Sequence, residues 1–423
     1  MKEPDRPALS TGTPDNQLPD QAQPASPAYL TSMARQLLAF GAGARQPIGG
    51  FGYLDNAGRI IAAQGSPLWI TCRMTHCFAL GSLMGWPGAP ALVDHGLAAL
   101  QQGFADKTNG GWFAALDDAG YPASTVKQAY GHAFVVLAAS SATLAGQPGA
   151  NQLLAKSLEV MESRFWEPEA GAVVDQLNQD FSCVEPYRGA NANMHTVEAF
   201  SAAALATGDG IWCERALLIC ERIINGAARQ NGWRIPEHYN PDWTVNRDYN
   251  SQTPADQFRP FGATPGHGFE WARLLVQLQH HLGDKAPPWL GQAAQELYDR
   301  AVADGWEARP APGFVYTTDF DGQPVLRTRL HWVMAEAVAA AAVLFKVTGQ
   351  VRYQNDLEAW WQAIDHYFVD RTQGSWHHEL DPAGRPCTTL WPGKPDIYHA
   401  LQASLLPMLP VTLAVAASVR AAP

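Results

Sequence analysis

Charge is what this chain has least of. Asp, Glu, Lys and Arg make up 16% of its 423 residues, where an ordinary globular domain carries roughly a quarter. Apolar residues make up 47%, so the deficit excludes a highly charged disordered chain and points to a thick wall of buried surface. The charge present leans acidic, with 29 basic against 40 acidic side chains and a net −11. No nucleic acid is therefore expected as a partner. The six cysteines (72, 77, 183, 213, 220 and 387) form no C-x-x-C pair, and free thiols in a cytoplasmic setting are the simplest expectation. No stretch of 18 apolar residues marks a membrane span. No G-x-G-x-x-G follows a strand-like run and no H-E-x-x-H occurs, so neither a nicotinamide site nor a zinc helix is expected. Residues 1–28, rich in Pro, Gln, Asp and Ser, read as a disordered tail without the apolar core of a signal peptide.

What the chain does have is a period. Glycine-aromatic segments begin at Gly49, Gly110, Gly171, Asn231, Gly313 and Gly374, at intervals of 61, 61, 60, 82 and 61 residues. An interval near sixty suits two helices and a small hairpin. Between the segments, apolar residues recur at three- and four-residue spacing with abundant Ala and Leu. Twelve helices are predicted, near 28–41, 68–85, 91–103, 127–145, 151–163, 192–207, 212–229, 265–282, 289–304, 328–348, 353–369 and 395–420. Two helices in each of six repeats predict an all-α fold, a closed (α/α)6 toroid over residues 29–423 with β-hairpins on one face.

Even-numbered helices would then line the inside, and their N-terminal turns carry the polar side chains. Each holds a histidine: His76, His132, His195, His267, His331 and His399. Such helix ends also favour negative charge on a ligand. Arg73, in an otherwise apolar helix, needs a carboxylate such as Glu336 or Glu270, or a polar ligand. Glu270 follows His267 by three residues, and Asp396 precedes His399 by three, so each carboxylate is expected to orient its neighbour. His132 and His331 read as structural. One of the adjacent His377 and His378 can face the cavity. Trp112, Trp332, Trp376 and Trp391 offer flat faces for a sugar, and Tyr130 stands at the mouth of the fourth helix. The long interval contains a polar, aromatic insertion, residues 236–264, expected to act as a lid.

Six pieces, TCRMTHCFAL (71–80), GGWFAALD with KQAYGHAFVVLAASS (110–141), NANMHTVEAF (191–200), PGHGFEWARLL (265–275), HWVMAEAV (331–338) and WPGKPDIYHALQA (391–403), span nearly the whole chain in order. Together they resemble the N-acylglucosamine 2-epimerase superfamily, in its aldose–ketose isomerase branch. The resemblance implies an (α/α)6 barrel with no cofactor and no metal. It maps Arg73, His195, His267 and His399 onto the family's catalytic arginine and three histidines, with His267 and His399 as the acid/base pair. Glu270, Trp332 and Trp391 fall within the same pieces; with Asp396, Trp112 and Tyr130 they are the expected substrate-binding residues. The implied reaction interconverts an aldose and its 2-ketose through a cis-enediol. D-mannose and D-fructose are the expected pair, with D-lyxose and D-xylulose, a sulfoquinovose or a 2-epimerisation as alternatives. The string KPDIYH favours the isomerases over the disaccharide epimerases. Two other classes stay open, a glycoside hydrolase or lyase on the same toroid and a non-catalytic toroid. The expected partner is a free monosaccharide, for a monomer or a homo-oligomer.

Overall fold

The computed structural model describes residues 23–422. The expected tail falls outside them for residues 1–22, but its last residues are ordered: Ser26 caps the first helix through the Tyr29 N–H, and Pro27 is that helix's first residue. Thirteen helices are found among the described residues. They are α1 (Pro27–Gly41), α2 (Leu68–Leu83), α3 (Ala89–Gln101), α4 (Ala129–Leu144), α5 (Ala150–Val160), α6 (Ala190–Thr207) and α7 (Ile211–Cys220). The remainder are α8 (Pro265–Leu282), α9 (Trp289–Gly305), α10 (His331–Thr348), α11 (Val351–Ala363), α12 (Tyr398–Leu405) and α13 (Val415–Ala421).

Helices α2, α4, α6, α8, α10 and α12 pack side by side, and α12 returns to α2, so the inner ring is closed. Helices α1, α3, α5, α7, α9 and α11 form the outer ring, with α1 lying against α12. Inner helices are buried on nearly all sides, which is why they are apolar all round and rich in small residues that let backbones approach. In α10 this goes far enough that its 18 residues, at a mean hydropathy of 1.3, would pass for a membrane span; it is instead a wall of the ring.

The twelfth helix differs from expectation. It stops at Leu405 because Pro407 and Pro410 cannot continue it. The chain then turns into α13, which packs on α2, α4 and α6 and covers the axis opposite the hairpins.

Four inner helices are each preceded by a two-residue strand; α4 and α10 begin later than their apolar pattern, at Ala129 and His331, whereas α2 begins at Leu68 as expected and α6 earlier, at Ala190. Ser66–Pro67, Lys127–Gln128, Arg188–Gly189 and Arg329–Leu330 pair antiparallel with the following hairpin, at Ala115–Leu116, Gln176–Leu177, His238–Tyr239 and Glu379–Leu380. A bridge from Ala263 to Thr318 and a bond from the Lys394 N–H to the Leu54 carbonyl (3.0 Å) complete the belt. Buried cations reach back from these strands to acids of their own repeats. Lys127–Asp106 lie 2.9 Å apart, and Arg188–Glu167, Arg329–Glu307 and Lys394–Asp370 each 2.7 Å. Such pairs are costly to bury and costlier to break, so they pin where each inner helix starts.

Candidate active site

The N-terminal ends of the inner helices enclose a pocket of about 630 Å³, counted to its open mouth. Arg73, Tyr130, His195, His267, Glu270, Trp332, Trp391, Asp396 and His399 all line it. Of the expected site residues only Trp112 does not. Its indole N–H donates to the Leu100 carbonyl (2.8 Å), and its ring is buried in the hairpin wall. His132 is structural as expected, since its Nε2 accepts the Trp112 backbone N–H (3.1 Å). Trp376 is likewise core, bonded to the Met33 sulfur.

His267 and His399 flank Trp332, with ring centroids 5.2 and 5.8 Å from the indole. Gly266 makes the first approach possible, because a Cβ there would fall 2.4 Å from the Trp332 ring. The orienting carboxylates are not those expected. Nδ1 of His267 lies 2.9 Å from both oxygens of Glu237, a residue of the fourth hairpin, and Nδ1 of His399 lies 2.8 Å from Glu336 on α10. In both rings a proton on Nδ1 donates to the carboxylate and leaves Nε2 as the free nitrogen. Burial, helped by the Arg73 charge, holds the His399 imidazole well below its ordinary value, so it stands as a neutral base near pH 7.

Asp396 serves Arg73 instead, at 3.2 Å, and also accepts the Tyr398 N–H (2.8 Å). Neither Glu336 nor Glu270 pairs with Arg73. Its other nitrogen donates to Tyr130 Oη (2.9 Å), and its guanidinium sits 4.6 and 4.7 Å from the rings of Phe134 and Tyr398. Aromatic faces and one carboxylate therefore fix a permanent cation at the pocket floor.

Beneath it, Arg273 stands among three carboxylates, 3.0 Å from Glu336, 3.5 Å from Glu270 and 3.8 Å from Glu198. One cation cannot neutralise three anions. Burial, and then the charge of Glu336, pushes the Glu270 carboxyl well above its usual range, so Glu270 keeps its proton. Nδ1 of His195 is 3.5 Å from Glu198 and 3.8 Å from Glu270, and burial lowers its pKa to about 4. The groups His195–Glu198–Glu270 and Glu270–Glu336–His399 are close enough to hold a metal ion. The Arg273 guanidinium already supplies the positive charge an ion would bring.

His331, read from sequence as structural, is on the pocket wall. It stacks on His378 at 3.6 Å, and burial keeps it neutral with a pKa of about 4. His378 is thus the inward member of its pair. Sequence reasoning missed Glu237, Trp69, Tyr316 and Phe258. Phe258 lies in the inserted segment and joins Trp69 and Trp391 at the mouth. The segment is docked there, since the Gln257 amide donates to the Leu390 carbonyl.

The sequence model of the N-acylglucosamine 2-epimerase family matches residues 49–403. D-mannose isomerase of Thermobifida fusca is 51% identical over 391 residues, covering 92% of this chain and 96% of that one. D-mannose isomerase of Pseudomonas cannabina pv. alisalensis is 47% identical, with 93% and 95% covered. A crystal structure of D-mannose isomerase superposes with a TM-score of 0.85 at 30% identity, over 90% of this chain and 98% of the other. The match spans all six repeats and every element that supplies the pocket, and the chain belongs to the N-acylglucosamine 2-epimerase family.

Proposed function

We propose that this protein is a cofactor-independent aldose–ketose isomerase that interconverts D-mannose and D-fructose. The observation that carries the reading is the pair His267 and His399. Each imidazole is tied at Nδ1 to a buried carboxylate, and the two stand on either side of Trp332. An aldose becomes a 2-ketose when the carbon-2 proton leaves, a cis-enediol forms across carbons 1 and 2, and a proton returns at carbon 1. Oxygen 1 gains a proton and oxygen 2 loses one, so atoms and electrons balance within the sugar and no redox partner is needed. A neutral imidazole can take and return a proton near pH 7. One of the pair handles the carbon-bound proton, and the other opens the ring and moves protons among the oxygens. Arg73 stabilises the enediolate, a type of contact worth about 3–4 kcal/mol. Trp332 offers its face to the sugar, and protonated Glu270 can donate a hydrogen bond to it. All six cysteines are free thiols, in keeping with the proposed cytoplasmic setting.

A hydrolase needs two carboxylates free to flank a glycosidic bond. Here Glu237, Glu336 and Asp396 are engaged by His267, His399 and Arg73, which favours isomerisation. The test is incubation with free aldoses in D2O, followed by NMR. Fructose formed from mannose, with deuterium at carbon 1, supports the reading. Glucose from mannose as the main product would make the enzyme an epimerase, and no exchange with any aldose would end the proposal.

A further inference from the structure

A chamber of about 270 Å³, counted to its mouth, lies behind the catalytic floor, on the side of Arg273 that faces α13. Its polar lining is His76 of α2, Ser141 of α4, Glu198 of α6, and Arg273 and Gln277 of α8. The run from Leu413 to Ala416, leading into α13, closes it. None of these side chains lines the sugar pocket. Arg273 Nη2 and His76 Nε2 are buried and have no hydrogen-bond partner among the described residues. Glu198 gives Oε2 to the Tyr398 hydroxyl, and its Oε1 stands 3.8 Å from Arg273 Nη2, beyond hydrogen-bond reach. Leaving a buried polar group unpaired costs about 1–3 kcal/mol, and a gap of this kind between donor and acceptor suits a bridging water. His76 Nδ1 lies 2.7 Å from Ser141 Oγ, and burial keeps the ring neutral, with a pKa of about 4.

We propose that the chamber binds one structural water, held by Arg273, Glu198 and His76, and that His76 is a positioning residue for the carboxylates that orient the catalytic histidines. The water accepts from Arg273 Nη2–H and donates its two hydrogens to Glu198 Oε1 and His76 Nε2. Three partners is the usual number for a buried water. This fixes the His76 tautomer, with its proton on Nδ1 donated to Ser141, because a proton on Nε2 would set two donors against one water oxygen. Glu198 lies 3.5 Å from His195 Nδ1, and Arg273 bonds at 3.0 Å the Glu336 that holds His399. One water thus ties the acid beside His195 to the guanidinium that anchors the orienter of His399. Gln277 secures the far side, accepting from Arg273 Nη1 at 3.3 Å and donating to the Thr412 carbonyl at 3.0 Å. The positioning role rests on the isomerase reading; the water site does not.

The test is a high-resolution crystal structure, with mannose kinetics, of wild type, His76→Phe and His76→Gln. Wild type should show one ordered water within hydrogen-bond distance of Arg273, Glu198 and His76. Phenylalanine keeps the ring volume and removes the acceptor. It should displace the water and lower kcat about 3–10-fold, the scale of one hydrogen bond, with KM unchanged because His76 does not line the sugar pocket. Glutamine, whose amide oxygen can stand where Nε2 stood, should restore the water and most of kcat. A merely structural His76 would instead lower Tm in both variants, with kcat and KM moving together and no rescue. A dry chamber in wild type, a cation in place of the water, or wild-type kcat in a folded His76→Phe would overturn the inference. Should His76→Phe not fold, Ser141→Ala frees the ring from its tether and should shift the water and lower kcat by less; an unmoved water with unchanged kcat there would overturn the positioning role. Density for the water does not depend on turnover, so a failed isomerase reading would remain distinguishable.

Discussion

Glu237→Gln separates the orienting role assigned by the structure from the one expected of Glu270. The His267 Nδ1 proton points between two Glu237 oxygens, each 2.9 Å away, and the carboxylate is 4% exposed. Glutamine preserves the shape and offers one neutral acceptor, so the charge-assisted part of the bond is lost. Hydrogen bonds to charged groups contribute about 1.5–3 kcal/mol. At about 1.36 kcal/mol per decade, kcat/KM should fall about 10–150-fold. Glu270→Gln should cost less, because Glu270 does not touch His267 and already carries a proton. Initial rates by NMR, with thermal unfolding of each variant, decide the matter. Wild-type kcat/KM in Glu237→Gln, or a larger loss in Glu270→Gln, would refute the reasoning.

His267→Ala and His399→Ala should each lower turnover about 10²–10⁴-fold. His267→Ala should also lower Tm more, because Glu336 keeps Arg273 when His399 is gone, whereas Glu237 has no other side-chain partner among the described residues. Exhaustive EDTA treatment should leave activity intact, since the Arg273 guanidinium and the proton on Glu270 together offset two of the three carboxylates that could hold an ion; loss on chelation with recovery on Zn²⁺ or Mn²⁺ would overturn this. Burial raises the Asp175 carboxyl from 3.8 to about 7, so the folded chain holds a proton that the unfolded chain releases. Stability from this group is full below the unfolded value and is lost as pH rises to about 7. Asp175→Asn should therefore gain in unfolding free energy relative to wild type across that window, by at most about 4 kcal/mol, and a constant difference at all pH would refute the linkage.

The period and the helical pattern made the ring legible, because a sixty-residue repeat of paired helices leaves few other packings. The histidines were legible for the same reason, as every inner helix carries one in its first turns. Their orienters were not. The three-residue rule looks along one helix, but side chains at the mouth of a ring point across it, so His267 and His399 meet carboxylates of a hairpin and a neighbouring helix. Glu237 is 30 residues from its partner, and no periodicity links the two. Trp112 could have been placed. It occupies the position of Phe51 one repeat earlier and Val173 one repeat later, an apolar slot that is buried in all three. Phe258 lies in an insertion that no other repeat shares, where a repeat-based reading carries no information. Apolar residues running past Pro407 and Pro410 concealed the break between α12 and α13.

The contact between α1 and α12 joins the first helix of the toroid to the last of its inner ring, and it sets how the chain must fold. In an open solenoid each repeat needs only its neighbours, so partial arrays persist and stability grows repeat by repeat. Here a chain lacking its final repeat would leave two apolar edges of the ring facing water, with the covering for one of them still to be made. Closure across more than three hundred residues also carries a loop entropy that local contacts cannot offset in advance. Synthesis would therefore hold nearly the whole protein in waiting, and the catalytic pocket, whose residues come from both sides of that seam, would come into being at the moment it shuts.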